Sequence, residues 1–162
     1  MTDISFLTAT ELARLIQSKQ LSPVELTQQI LARVDKIDPL LRTYITPLPE
    51  LALQQARDAE NAIMHGEYKG PLHGIPIGIK DNYETKGIRT TVGSKLFAHF
   101  IPDESATTVK KLLGAGAIML GKQNLHELAA GSTGTNSYFG TTRNPWNTNY
   151  MPGAQVVAVP LH

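Results

Sequence analysis

Two amphipathic stripes open the chain. Leu12, Leu15 and Ile16 recur at helical spacing, and Leu26, Ile30, Val34 and Ile37 form a second set. Each stripe carries its own start signal. Leu7-Thr8-Ala9-Thr10-Glu11-Leu12 places Thr8 as N-cap, Glu11 three residues on, and Leu7 opposite Leu12 as a hydrophobic staple. Leu21-Ser22-Pro23-Val24-Glu25-Leu26 repeats the arrangement, with Pro23 at the first helical position, where its missing N–H costs nothing. The pattern predicts helices over residues 8–18 and 22–37. A third is expected over residues 49–65, from Pro49 to just before Gly66, with Ala56, Ala59 and Ile63 inward. Stripes of this kind face a core far more often than a cofactor, so this region reads as scaffold.

The texture changes at Lys69-Gly70-Pro71. Ile75, Ile77 and Ile79 alternate with Pro76, Gly78 and Lys80, which predicts a short strand over residues 75–80 with its isoleucines on one face. The other face carries nothing bulky, so a backbone or ligand can come close. Pro76 cannot donate to a ladder, so the strand is expected to be paired on one side there or to be irregular. A helix over residues 105–113 follows, stopped by Gly114 and Gly116, and residues 117–120 form a second apolar strand. Strand, helix and strand then make a parallel crossover unit.

Composition narrows the partners. With 162 residues and 41% hydrophobic content, the chain is long enough to bury one core. Fifteen basic and 14 acidic residues give a net charge of +1, which offers no footprint for nucleic acid. The absence of cysteine excludes disulfides and a thiol nucleophile, and suits a reducing cytoplasm. Residues 1–6 lack the basic start and apolar core of a signal peptide, and no apolar run approaches a membrane span.

Lys80 carries the main chemical argument. Most lysines are solvated surface charges, but this one ends an apolar strand and is followed by Asp81 and Asn82. Open α/β sheets place their ligands at the carboxyl ends of strands. Partial desolvation there favours the neutral amine, which can act as a base toward a hydroxyl nucleophile. A second candidate is Gly131-Ser132-Thr133-Gly134-Thr135-Asn136-Ser137, where small residues can bring backbone N–H groups close to a substrate or simply form a polar loop. The histidines (His65, His73, His99, His126 and His162) are scattered and give no metal signal. His126 reads as a helix-surface or packing residue.

Together, GPLHGIPIGIKDN, GAGAIMLGKQNLHELAAGSTGTNSYFG and TRNPWNTNYMPG resemble the amidase signature family, over residues 7–153. The resemblance implies an α/β fold: N-terminal helices plus the first strands of the family's mixed sheet, incomplete here. It divides the chain into residues 1–153, the N-terminal part of an amidase domain (1–69 helical, 70–153 the start of the α/β core), and a tail of residues 154–162. It also implies hydrolysis or transfer of amide groups by a Ser–cis-Ser–Lys triad, with no cofactor and no metal. Lys80 matches the family's catalytic lysine, which acts through a relay serine on a nucleophilic serine. Ser132 matches a loop residue that lines the substrate site. The implied partners are a small-molecule amide and, beyond that, either a second copy or amidotransferase subunits, with no membrane.

The tail departs from that pattern. After Pro152-Gly153 the family continues with glycine, two serines, two glycines and a serine, whereas this chain reads Ala-Gln-Val-Val-Ala-Val-Pro-Leu-His. The relay serine falls at Gln155, and the nucleophile lies beyond His162. The residues 154–162 can be encoded GCT CAA GTG GTG GCA GTG CCG CTG CAY. One G restored before that GCT changes the reading to Gly-Ser-Ser-Gly-Gly-Ser-Ala-Ala-Ala. A one-nucleotide deletion accounts for the tail, and leaves a triad reduced to Lys80. Two readings follow: a truncated amidase without activity of its own, or a non-enzymatic helical module for binding or dimerisation. Within the enzyme class, Asn124-Leu125-His126-Glu127 leans toward a free-standing amidase over the catalytic subunit of the tRNA-dependent amidotransferase. The two-stranded remnant is expected to expose a sheet edge and an apolar patch of Ile75, Ile77, Ile118 and Leu120, and to aggregate or stay molten.

Overall fold

The structure, a computed structural model, describes residues 4–152. Four α-helices and a three-stranded mixed sheet build it. After a single 3-10 turn, α1 (Ala9–Gln17) and α2 (Pro23–Leu41) start as their signals dictate. Thr8 Oγ1 accepts the Glu11 N–H at 3.2 Å, and the Glu11 carboxylate accepts the Thr8 N–H at 2.7 Å. Ser22 Oγ accepts the N–H groups of Val24 and Glu25, and donates to Glu60 of the third helix, so one cap also ties two helices together.

α2 runs a turn further than its apolar stripe predicts, through Pro39 to Leu41. Proline deprives the helix of one backbone bond, and here the helix ends within a turn, so the loss stays small. Asp38 closes that end. Its carboxylate accepts the N–H of Thr43 at 2.6 Å and the Thr43 hydroxyl, while Arg42 takes a left-handed φ of 55°.

β1 (Tyr44–Pro47) has no counterpart in the sequence reading and falls inside the stretch read as purely helical. It pairs antiparallel with β3 (Ile118–Gln123), which runs three residues past the predicted end of that strand. β2 (Pro76–Lys80) pairs parallel with β3 on its other side, so the order is β1-β3-β2. The parallel connection passes through α4 (Thr107–Gly114). Among the described residues β2 is paired on one side only and its register with β3 is irregular, the two arrangements its Pro76 allows. Gly121 sits where β1 crosses closely: a Cβ there would lie 2.6 Å from the Thr46 carbonyl oxygen and 3.0 Å from the Pro47 Cα.

Both faces of the sheet are covered. α1, α2 and α3 (Pro49–Met64) pack Leu12, Ile16, Leu26, Ile30, Ala52, Ala56 and Ile63 against Ile75, Ile118 and Leu120. Val109 of α4 packs with Ile79 and Met119 in a second core. The three isoleucines therefore do not share one face: Ile75, just before β2, belongs to the first core and Ile79 to the second, while Ile77 touches both. The register slip between Ile77 and Gly78 adds Leu120 to β3 and leaves the alternation within β2 unbroken; the switch falls before the strand, at Ile75. The expected apolar patch is also absent: Ile75, Ile118 and Leu120 are buried and Ile77 is half-buried, which removes one ground for expecting a molten state. Exposed apolar surface lies instead at Leu40, Leu96 and Trp146.

His73 closes the end of the helical layer. It is 1% exposed, its Nδ1 accepts the Lys69 N–H at 3.1 Å, and its ring fills the space that a Cβ at Gly116 would need. Burial, with the Lys69 charge second, holds its pKa below the ordinary value of 6.5. The unfolded chain then binds the proton first, so the stabilisation is complete above pH 6.5 and is lost as the pH falls below it toward the folded value. Urea midpoints at pH 7.5 and pH 5 are expected to diverge in the natural chain and to converge in His73→Gln. Equal slopes in the two proteins would show that His73 does not titrate with unfolding.

Candidate active site

Lys80 occupies the last position of β2, at the carboxyl end of the parallel pair, and is half-buried. It lines an open cleft of about 400 Å³ together with Gly78, Asn82, Tyr83, Leu112 and Gln123. Among the described residues its ammonium has neither a carboxylate nor a hydrogen-bond partner. The smooth side of β2 is used by a neighbour: the Gln123 side chain lies over Gly78, where a Cβ would overlap its amide nitrogen.

The residue after Lys80 is the most heavily tied of the region. Asp81 is fully buried. Its N–H donates to the Gln123 carbonyl at 3.0 Å and its carbonyl accepts the Val92 N–H at 3.0 Å. Its Oδ2 accepts the Thr91 N–H at 2.9 Å and the Thr91 hydroxyl at 2.5 Å. Its Oδ1 lies 3.5 Å from the Nζ of Lys122, a lysine that is also fully buried. Lys122 donates to the Tyr83 carbonyl at 2.5 Å, to Thr90 Oγ1 at 2.7 Å and to Thr85 Oγ1 at 3.2 Å. Burial is the dominant influence on both groups: it pulls Lys122 down to about 8 despite the attraction of Asp81, and it pushes Asp81 up.

Nothing local in the sequence marks this pair. The strand predicted over residues 117–120 stops before the glycine, which leaves Lys122 outside any element. Continuing the strand past Gly121 would have paired Lys122 with Ile79 and buried it, the one signal that points to it.

The loop of residues 131–137 is anchored from beneath by Asn136. Its amide donates to the carbonyls of Gly93 and Leu125, and its oxygen accepts the N–H groups of Tyr138 and Phe139. Gly93 lies in the loop that follows Lys80, so Asn136 ties the two loops together, and Ser94 Oγ adds a bond to Glu127 at 2.7 Å. Ser132 itself is exposed and is not among the residues lining the Lys80 cleft. His126 packs, as its sequence context suggested: its ring covers Gly131, and its Nδ1 sits 3.2 Å from Thr133 Oγ1. Gln155 and the whole of residues 153–162 lie outside the described residues. Among those described, no group of three or more histidine or carboxylate side chains is placed to hold a metal, and no helix is long and apolar enough to cross a membrane.

A sheet covered on both faces, with its candidate lysine at the carboxyl end of a parallel strand, defines an α/β fold of the kind that places its chemistry at that edge. Residues 25–154 match the family described as Amidase, and the chain belongs to that family. It is 47% identical over 146 residues to the A subunit of the glutamyl-tRNA(Gln) amidotransferase of Methylococcus capsulatus, an alignment covering 90% of this chain and 30% of that protein. Identity to the corresponding protein of Geobacter metallireducens is 48% over 147 residues, covering 91% and 30%. The solved peptide amidase of Stenotrophomonas maltophilia matches with a TM-score of 0.87 at 33% identity, covering 94% of this chain and 33% of the enzyme. The chain thus spans about 30% of the length of these curated relatives. It is a fragment of the amidase fold relative to them.

Proposed function

We propose that the chain is the amino-terminal portion of an amide-processing enzyme in which Lys80 is the base of a Ser–cis-Ser–Lys triad, and that these 162 residues turn over no amide by themselves. The observation that carries this reading is Lys80 itself. It is a lysine at the carboxyl end of a buried strand, facing a cleft, with no carboxylate to satisfy it among the described residues. A base needs a hydroxyl to deprotonate. The relay position is Gln155, whose amide cannot pass a proton on, and the family's nucleophile has no counterpart in the sequence. The re-framed codons support a tail of residues 154–162 read out of frame, behind an amidase portion that ends at Gly153. Ser132 is proposed only as part of a substrate-lining loop in the complete enzyme.

Identity of 47–48% to the amidotransferase proteins, against 33% to the peptide amidase, supports the tRNA-dependent amidotransferase as the source of the chain, against the lean of Asn124-Leu125-His126-Glu127 toward a free-standing enzyme. On that reading the partners are the companion subunits of the amidotransferase, and the substrate is a carboxamide, with no cofactor.

The test has two arms. Sequencing the locus is expected to show a gene that the insertion of one G returns to the family's glycine-serine continuation. Purified 162-residue chain is expected to release no ammonia from glutamine or from a simple aromatic amide. Turnover that disappears in Lys80→Ala of the 162-residue chain would overturn the reading of inactivity, and a gene that cannot be re-framed would overturn the account of the tail.

A further inference from the structure

We infer that the buried Lys122–Asp81 pair is a positioning device for Lys80, a clamp that fixes the backbone from which the Lys80 side chain departs. The inference rests on the reading of Lys80 as the functional base.

Three observations converge on it. Lys80 has no side-chain partner among the described residues, so its direction is set by its backbone and by the walls of the cleft. The Lys80 carbonyl accepts the Tyr83 N–H at 3.0 Å, which makes Lys80 the first residue of a turn. Lys122 then holds that turn from inside, through the Tyr83 carbonyl. Its other two donors reach Thr85 and Thr90, one on each limb of the loop that returns to Asp81 through Thr91 and Val92. All three protons of the ammonium are used on this one loop.

The chemistry of the pair favours a positioning role over a stabilising one. Two fully buried charges lose their hydration, and the Asp81 Oδ1 has only the ionic contact with Lys122, without a hydrogen bond. An apolar pair of the same volume commonly serves stability as well or better. What an apolar pair cannot do is bind three separate oxygens of a loop and thereby select one conformation of it. The loop so selected begins at the residue whose geometry the chemistry needs, and small displacements of a catalytic group are costly to rate.

The experiment follows the Lys80 side chain directly, in the 162-residue chain. Reductive methylation with ¹³C-formaldehyde labels exposed lysine amines, and Lys80→Arg assigns the Lys80 signal. In the double variant Asp81→Asn/Lys122→Met, the Lys80 methyl signal is expected to move to the position of an unstructured lysine, while the signals of Lys19 and Lys110 stay where they are. Because the double variant can fail to fold, Thr90→Val is measured beside it. That change removes one of the three acceptors and is expected to shift the Lys80 signal part of the way in a chain with native circular dichroism. An unchanged Lys80 signal in folded Thr90→Val, or in a folded double variant, overturns the inference. Failure of the reading of Lys80 as base shows separately, as activity that survives its removal from a frame-restored enzyme, and leaves the spectra untouched.

Discussion

In a gene returned to the family's reading frame, replacing Lys80 by alanine is expected to lower kcat/KM for an amide substrate by about 10²- to 10⁴-fold, the range in which a positioned general base contributes. The effect should fall on kcat more than on KM, because a base acts in the transition state and adds little to ground-state binding. Lys80→Arg separates charge from basicity. Arginine keeps a cation at the carboxyl end of β2 but does not give up its proton near neutral pH, so a lysine that acts as a base is not rescued by it. A lysine that only attracts an anionic substrate is rescued. Residual turnover in Lys80→Ala is expected, since oxyanion contacts and binding survive the loss of one member of the triad. An arginine variant with near-natural activity would reassign Lys80 to binding.

The residues disclosed the helical half of this fold more completely than the sheet, for a physical reason. Helix starts are local: Thr8 with Glu11, and Ser22 with Pro23, satisfy backbone groups within three residues of themselves, so the sequence carries the whole signal. β1 is non-local. Tyr44–Pro47 has four residues and a proline, and it becomes a strand because β3, more than 70 residues later, offers Gln123, Lys122 and Gly121 as partners. The end of β3 was hidden by Gly121, which reads as a terminator and is in fact the place where two backbones nearly touch. Lys80 was legible because a charge at the end of an apolar strand breaks a local pattern. Asp81 was visible only as part of its motif, and its tie to Lys122 spans 41 positions of sequence. Alternation also misassigned Ile75, because β2 begins one residue later, at Pro76, and Ile75 joins the helical core before the strand's alternation starts.

The largest effect on stability is expected at Lys122. Lys122→Ala removes a fully buried side chain and leaves the Asp81 carboxylate enclosed with only the two Thr91 donors, while the Tyr83 carbonyl loses its buried partner. Breaking a buried ion pair from one side costs about 3–5 kcal/mol, and whole domains are stable by only about 5–15 kcal/mol. The loss is a large share of the stability a domain can have, so the urea midpoint of the variant is expected to fall sharply. Lys122→Met keeps the volume of the stem and isolates the electrostatic share. It is expected to remain strongly destabilising while Asp81 is charged, and to recover by about 0.5–3 kcal/mol when Asp81→Asn is added, the usual size of coupling between contacting residues. Urea unfolding followed by circular dichroism, on the natural chain, both single variants and the double, closes the cycle. A Lys122→Met chain within about 1 kcal/mol of the natural one would mean that Asp81 does not need its partner. Simple additivity in the double variant would mean that the two groups share a cavity without interacting across it.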